Sequence, residues 1–117
     1  MKKIAIATLN GYFNYGNRLQ NYALQEFLNS LGFNVQTIRF NRDKKKNKYK
    51  SHLSKVKKLV TNPSAYSIEK KRHEVFIDFS NKYIAETERI FNVEDNLTHL
   101  DLEFDYFVVG SDQVWNP

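Results

Sequence analysis

An open α/β sheet of parallel strands is the architecture this sequence predicts, and three observations predict it. Short runs dominated by apolar side chains, Ile4-Ala5-Ile6-Ala7 and Phe104 to Val109, have the pattern of strands covered on both faces. A helical stretch lies between the first run and a β-prone segment, Val35 to Phe40. Only four glycines and two prolines interrupt 117 residues, so helices and strands should fill most of the chain.

The elements follow in order. After the first strand, Asn10-Gly11-Tyr12-Phe13-Asn14-Tyr15-Gly16-Asn17 reads as a loop, because its glycines and asparagines tolerate positive φ and bond locally. From Asn17 to Leu31 the pattern turns helical. Leu19, Tyr22, Ala23, Phe27 and Leu31 form a stripe that Leu24 and Leu28 widen, and a face so broad is expected to pack on a sheet. Gly32 suits the left-handed position that ends a helix, and Val35 to Phe40 completes a βαβ unit.

Beyond Asn41 a basic connector leads to a weak helical stripe, Leu53, Val56, Leu59 and Val60, broken at Asn62-Pro63. A second helix, capped by Ser64 or Ser67, carries Ile68, Val75, Phe76, Phe79 and Tyr83 at helical spacing. It should lie on the sheet or on the first helix. Asp95 to Leu100 suggests a short helical turn, and the strand ending at Val109 feeds directly into Gly110-Ser111-Asp112. The predicted order is β-α-β-(αα)-β, a Rossmann-like open sheet.

Composition narrows the chemistry. There is no cysteine, which excludes disulfides, thiolate metal sites and cysteine nucleophiles. With 41% hydrophobic and 15% aromatic residues the chain holds material for one modest core. The apolar run after Met1-Lys2-Lys3 stops at Asn10, short of a signal-peptide core, and a cytoplasmic location is expected. Between Arg42 and Lys58, nine basic residues face one acid, Asp43, so that segment carries about +8 of a chain whose total is +5. A solvated connector, or contact with an anionic polymer or membrane surface, are the alternatives. Nucleic acid is not expected, because Tyr49 and His52 are the only rings in the run.

Ligands of open α/β sheets bind at the carboxyl ends of the strands, and two polar, glycine-containing loops leave such ends. In the first, Gly11 and Gly16 have P-loop spacing, but Asn17 and Arg18 stand where Lys and Ser or Thr are required, and G-x-G-x-x-G is also absent. A tight turn with Gly16 at positive φ is the plainer alternative. In the second, Trp115 flanked by Asp112, Gln113 and Asn116 suits a sugar, whose C–H faces stack on a ring while its hydroxyls bond planar polar groups. Asp112 is the only acid in the two loops and hence their only general acid or base; capping a following turn is its alternative role.

Asn14-Tyr15-Gly16-Asn17-Arg18-Leu19-Gln20-Asn21-Tyr22-Ala23-Leu24-Gln25, and Phe104 through Gly110-Ser111-Asp112-Gln113-Val114-Trp115-Asn116-Pro117, resemble the two N-terminal signatures of the polysaccharide pyruvyl transferase family. The resemblance implies the first half of a two-domain, glycosyltransferase B-type fold. Residues 1–117 would be a partial N-terminal, acceptor-side domain, with the C-terminal donor domain outside this sequence. The end of the chain a few residues after a buried strand suggests a fragment, inactive alone.

The implied reaction moves an enolpyruvyl-derived group from phosphoenolpyruvate onto a sugar as a ketal, with no metal or other cofactor. The implied catalytic residue is Asp112. The implied substrate-binding set is Asn14, Tyr15, Gly16, Asn17, Arg18, Gln20, Gly110, Ser111, Gln113 and Trp115. His52, His73 and His99 lie outside both signatures and are expected to be structural or at the surface. Two alternatives remain open at this stage: a related glycosyltransferase using a nucleotide sugar, and a non-catalytic binding module whose basic segment contacts an anionic polymer or membrane.

Overall fold

The structure, a computed structural model, describes residues 1–8, 14–41, 48–92 and 95–110, with the backbone alone at 48–51 and 97. Its centre is a four-stranded, all-parallel sheet in the order β3-β2-β1-β4. β1 (Lys3–Ala7) pairs with β2 (Asn34–Asn41) on one side and β4 (Tyr106–Val109) on the other. β3 (Glu86–Asn92) extends the sheet beyond β2. Ile4, Ala5 and Ile6 are buried, as the unbroken apolar run predicts for a central strand.

Alternation along the strands divides the core between two faces. On one, Ile4, Ile6 and Val35 pack with Leu24, Leu28, Phe33 and Val108. On the other, Ala5, Ile38 and Phe91 pack with Leu100 and Phe104, and Phe40 closes the cluster. Leu100 comes from α4 (Leu100–Glu103), a single turn that follows the 3-10 turn Leu97–His99. Phe104 is the residue that ends it.

α1 (Tyr15–Ser30) begins two residues earlier than its apolar periodicity suggests. Asn14 caps it, its side chain accepting the Gly16 N–H at 2.9 Å, so Gly16 is helical and the positive-φ turn expected there does not form. At the other end Gly32 does adopt φ 88°. The Gly32 N–H donates to the Asn29 carbonyl and the Phe33 N–H to that of Leu28, a Schellman closure whose Phe33 and Leu28 both pack against the core cluster of Ile4, Ile6 and Val35.

The face that α1 buries differs from the expected stripe. Leu19, Phe27 and Leu31 are more than half exposed, whereas Arg18, Asn21 and Gln25 are buried. The helix docks through Leu24, Leu28 and this polar row, because β2 and the start of β3 offer it hydrogen-bond partners. Thr37 Oγ1 donates to Asn21 Oδ1 at 3.0 Å. Gln25 brackets the turn into β3: its Nε2 donates to the Tyr83 carbonyl at 2.9 Å and its Oε1 accepts the Ala85 N–H at 2.7 Å. Each buried polar group met in this way avoids a desolvation penalty of about 1–3 kcal/mol.

α2 (Lys48–Thr61) and α3 (Pro63–Tyr83) form a helical hairpin. The lysine-rich connector is thus helical from Lys48. Asn62 rather than Ser64 or Ser67 caps α3, accepting the Ala65 N–H at 3.2 Å, with Pro63 in the first turn where its missing N–H costs nothing. As expected, α3 packs on α1: Tyr15 stacks on Phe76 with centroids 4.1 Å apart, and Tyr22 meets Phe79 and Tyr83 edge-on.

β3 has no counterpart in the sequence-based order. Its sequence, Glu-Thr-Glu-Arg-Ile-Phe-Asn, is polar because it lies at the sheet edge, and its register slips between Thr37 and Arg39 of β2. Thr87 Oγ1 heals the slip by accepting the Arg39 N–H and donating to the Arg89 carbonyl.

Gly32→Ala should lower stability by about 1 kcal/mol, since a Cβ at that φ is strained although space around it is open. Urea denaturation followed by circular dichroism measures the loss, and Gly32→Asn should recover part of it.

Candidate active-site rim

The carboxyl edge of the sheet is built where β1 and β4 end side by side. The Gly110 N–H donates to the Ala7 carbonyl at 3.0 Å, and the Thr8 hydroxyl reaches the Gly110 carbonyl at 3.5 Å. The segments after Thr8 and after Gly110 therefore leave the sheet from neighbouring points on one edge. α1 starts on that edge too, because a helix that follows a parallel strand runs back antiparallel to it.

Gly110 is buried and tightly enclosed. A Cβ there would lie 2.9 Å from Leu24 Cδ2 and 3.4 Å from Ile6 Cγ2, so its small size lets α1 close against the end of β4. Beside this contact runs a groove of about 530 Å³, lined by Gln20, Ala23, Leu24, Phe27, Val108, Val109 and Gly110. Gln20 from the first signature and Gly110 from the second thus share one groove.

Other residues of the first signature turn away from that groove. Tyr15 and Arg18 line a separate apolar pocket of about 70 Å³ against Val75, Phe76 and Phe79 of α3. The Arg72 guanidinium sits 5.4 Å from the centroid of the Tyr15 ring. Arg18, 2% exposed, pairs through Nη1 with Glu86 Oε1 at 3.0 Å, and Arg39 Nε reaches Glu86 Oε2 at 3.4 Å. One carboxylate at the start of β3 therefore links two guanidinium groups and fixes the first turn of α1 to the sheet.

Of the remaining candidates, Asn14 is exposed and occupied as the cap, Gly16 is exposed, and Asn17 is half-buried in the first turn. Ser111, Asp112, Gln113 and Trp115 lie outside the described residues, as does the loop at 9–13. His52, His73 and His99 are exposed. Among the described residues no group of three or more His, Asp or Glu is placed to hold a metal ion. None of the described helices is long and apolar enough to cross a membrane. Glu86 was not foreseen as a partner of Arg18, because 68 residues separate the two and β3 carries no clear strand pattern. The buried polar row did leave a trace, Arg18, Asn21 and Gln25 at helical spacing.

Fold and rim together define an α/β protein with a parallel sheet and a groove beside the carboxyl end of β4. The family model for polysaccharide pyruvyl transferase matches residues 14–117, and the chain belongs to that family. Neither the curated proteins nor the solved structures contain a match to it.

Removing one partner of a buried ion pair leaves the other charge uncompensated. Glu86→Ala should therefore destabilise the protein by about 3 kcal/mol in urea denaturation. The double variant Arg18→Met/Glu86→Leu should lose clearly less than the sum of Arg18→Ala and Glu86→Ala, because the apolar pair fills the site without a stranded charge.

Proposed function

We propose that this chain forms the acceptor-side part of an enzyme that transfers an enolpyruvyl-derived group from phosphoenolpyruvate to a sugar of a polysaccharide or glycan. The observation that carries this reading is the groove shared by Gln20 of the first family segment and Gly110 of the second, with family membership giving the reaction class. The sheet would be the first of two Rossmann-like domains in a glycosyltransferase B-type fold, with the cations for the donor's carboxylate and phosphate in the second. A cytoplasmic location goes with this reading, because phosphoenolpyruvate is an intermediate of central metabolism.

In the proposed reaction the donor's methylene takes a proton, becoming a methyl group and leaving an oxocarbenium-like carbon. One sugar hydroxyl adds to that carbon, the C–O bond to phosphate breaks, and a second hydroxyl closes the ketal. Of the two hydroxyl protons lost, one balances the proton taken up by the methylene and the other leaves with phosphate or solvent. Asp112, the only carboxyl group in the two loops, would relay a proton as acid or base. Trp115 would support the apolar face of the sugar, with Gln20 and Gln113 bonding its hydroxyls. Asn14, Gly16, Asn17, Gly110 and Ser111 would shape the same end of the crevice, while Tyr15 and Arg18 hold the first turn of α1 against α3 and β3. No step uses a metal.

The test is phosphate release from phosphoenolpyruvate with a panel of oligosaccharide acceptors, using the intact protein that carries this chain. Asp112→Ala should lower kcat by about 10²–10⁴-fold. Trp115→Ala should act mainly on the acceptor KM, and chelation by EDTA should leave the rate unchanged. Wild-type kinetics in both variants would remove these residues from the site.

A further inference from the structure

The hairpin of α2 and α3 carries a feature that the transferase reading does not use. His52 through Thr61, all the α2 residues whose side chains are described, are exposed. Among them Leu53 is 69% and Val60 76% exposed, and Val56 and Leu59 are close to half exposed. α2 also contains five lysines and no acid.

These residues are ordered around the helix. At about 100° per residue, Leu53, Val56, Leu59 and Val60 fall within an arc of roughly 120°. Lys57 borders one side of that arc and Lys55 the other. Lys58 lies on the opposite face, where its Nζ pairs with Glu69 of α3 at 3.2 Å. The apolar arc lies away from the side on which Lys58 pairs with α3, and Leu53 and Val60 are its most exposed residues.

We infer that α2 lies in the plane of an anionic bilayer surface, with Leu53, Val56, Leu59 and Val60 entering the headgroup boundary and the flanking lysines meeting lipid phosphates and carboxylates. Charge complementarity and the position of the lysines favour this occupant. A nucleic acid would engage the lysines and leave the apolar arc in water. At a bilayer both sets are satisfied together: the apolar arc leaves water while Lys55 and Lys57 keep their ammonium groups at headgroup level. The inference stands independently of the transferase reading.

Co-sedimentation of the full chain with vesicles tests it. Binding to phosphatidylcholine mixed with phosphatidylserine should exceed binding to phosphatidylcholine alone by at least about tenfold and weaken as salt rises. Leu53→Asn/Val56→Asn/Val60→Asn, at exposed positions, should keep the thermal midpoint and lose most vesicle binding with every lysine intact. Lys55→Gln/Lys57→Gln should weaken binding to anionic vesicles and leave the weak binding to neutral ones unchanged.

Three outcomes would overturn the inference. One is no binding to anionic vesicles. Another is a triple variant that binds like wild type, which would mean that charge alone acts. The last is a dimer in solution that the triple variant dissociates while vesicles capture nothing, which would make the arc an interface between copies.

Discussion

The arrangement of this domain depends on a polar row that α1 buries against the sheet. Arg18, Asn21 and Gln25 lie one or two helical turns apart, and each finds a partner on a different part of the fold: Glu86, Thr37, and the backbone on either side of Ile84. Apolar packing alone would let a helix slide or roll on a sheet, because dispersion contacts are not directional. Hydrogen bonds at fixed positions along the helix remove that freedom, since a displaced helix would strand several buried polar groups at once. The same row joins α1 to β2, to β3 and to the end of α3. Those three elements therefore take their places relative to one another through a single helix face.

This has a consequence for the rim. Tyr15 and Arg18 sit in the first turn of α1, and their side chains are held on the α3 side by the Phe76 stack and by Glu86. Held there, the first turn presents Gln20 to the groove beside Gly110, on the β4 side of the same helix. The family segment that begins at Asn14 thus serves two purposes. Part of it anchors the helix, and part of it lines the groove between α1 and the end of β4. Gly110 closes the arrangement, because only a residue without a side chain lets Leu24 approach the end of β4 so nearly.

The apolar stripe of α1 that does not face the sheet, Leu19, Phe27 and Leu31, remains largely exposed, with Phe27 forming one wall of the groove. The apolar arc of α2 is exposed as well. The two surfaces differ in charge. The α1 stripe is bordered by Gln20 and the exposed acid Glu26, whereas the α2 arc is flanked by lysines. That difference separates a surface next to the rim from one suited to an anionic plane.

Much of the fold was legible in the chain. β1, β2, β4, the helical end at Gly32 and the helical run of α3 follow from local causes: continuous apolar runs, a left-handed glycine, and aromatic residues at helical spacing. Local pattern also placed the two candidate loops after strand ends, and the described residues that precede them, Thr8 and Gly110, sit side by side at the ends of β1 and β4. The buried face of α1 and the existence of β3 were not legible. Hydrophobic periodicity assumes that the apolar side of a helix turns inward, and here the partners waiting on β2 and β3 made the polar row the better one to bury. β3 is an edge strand with a slipped register, so its exposed residues carry no alternation to read. The amino-acid order by itself determined most of the segments that become helix or strand, because those depend on neighbours a few residues away. Only the tertiary structure decided which helix face is buried and which distant carboxylate meets Arg18, because those depend on hydrogen-bond partners that folding brings together from far along the chain.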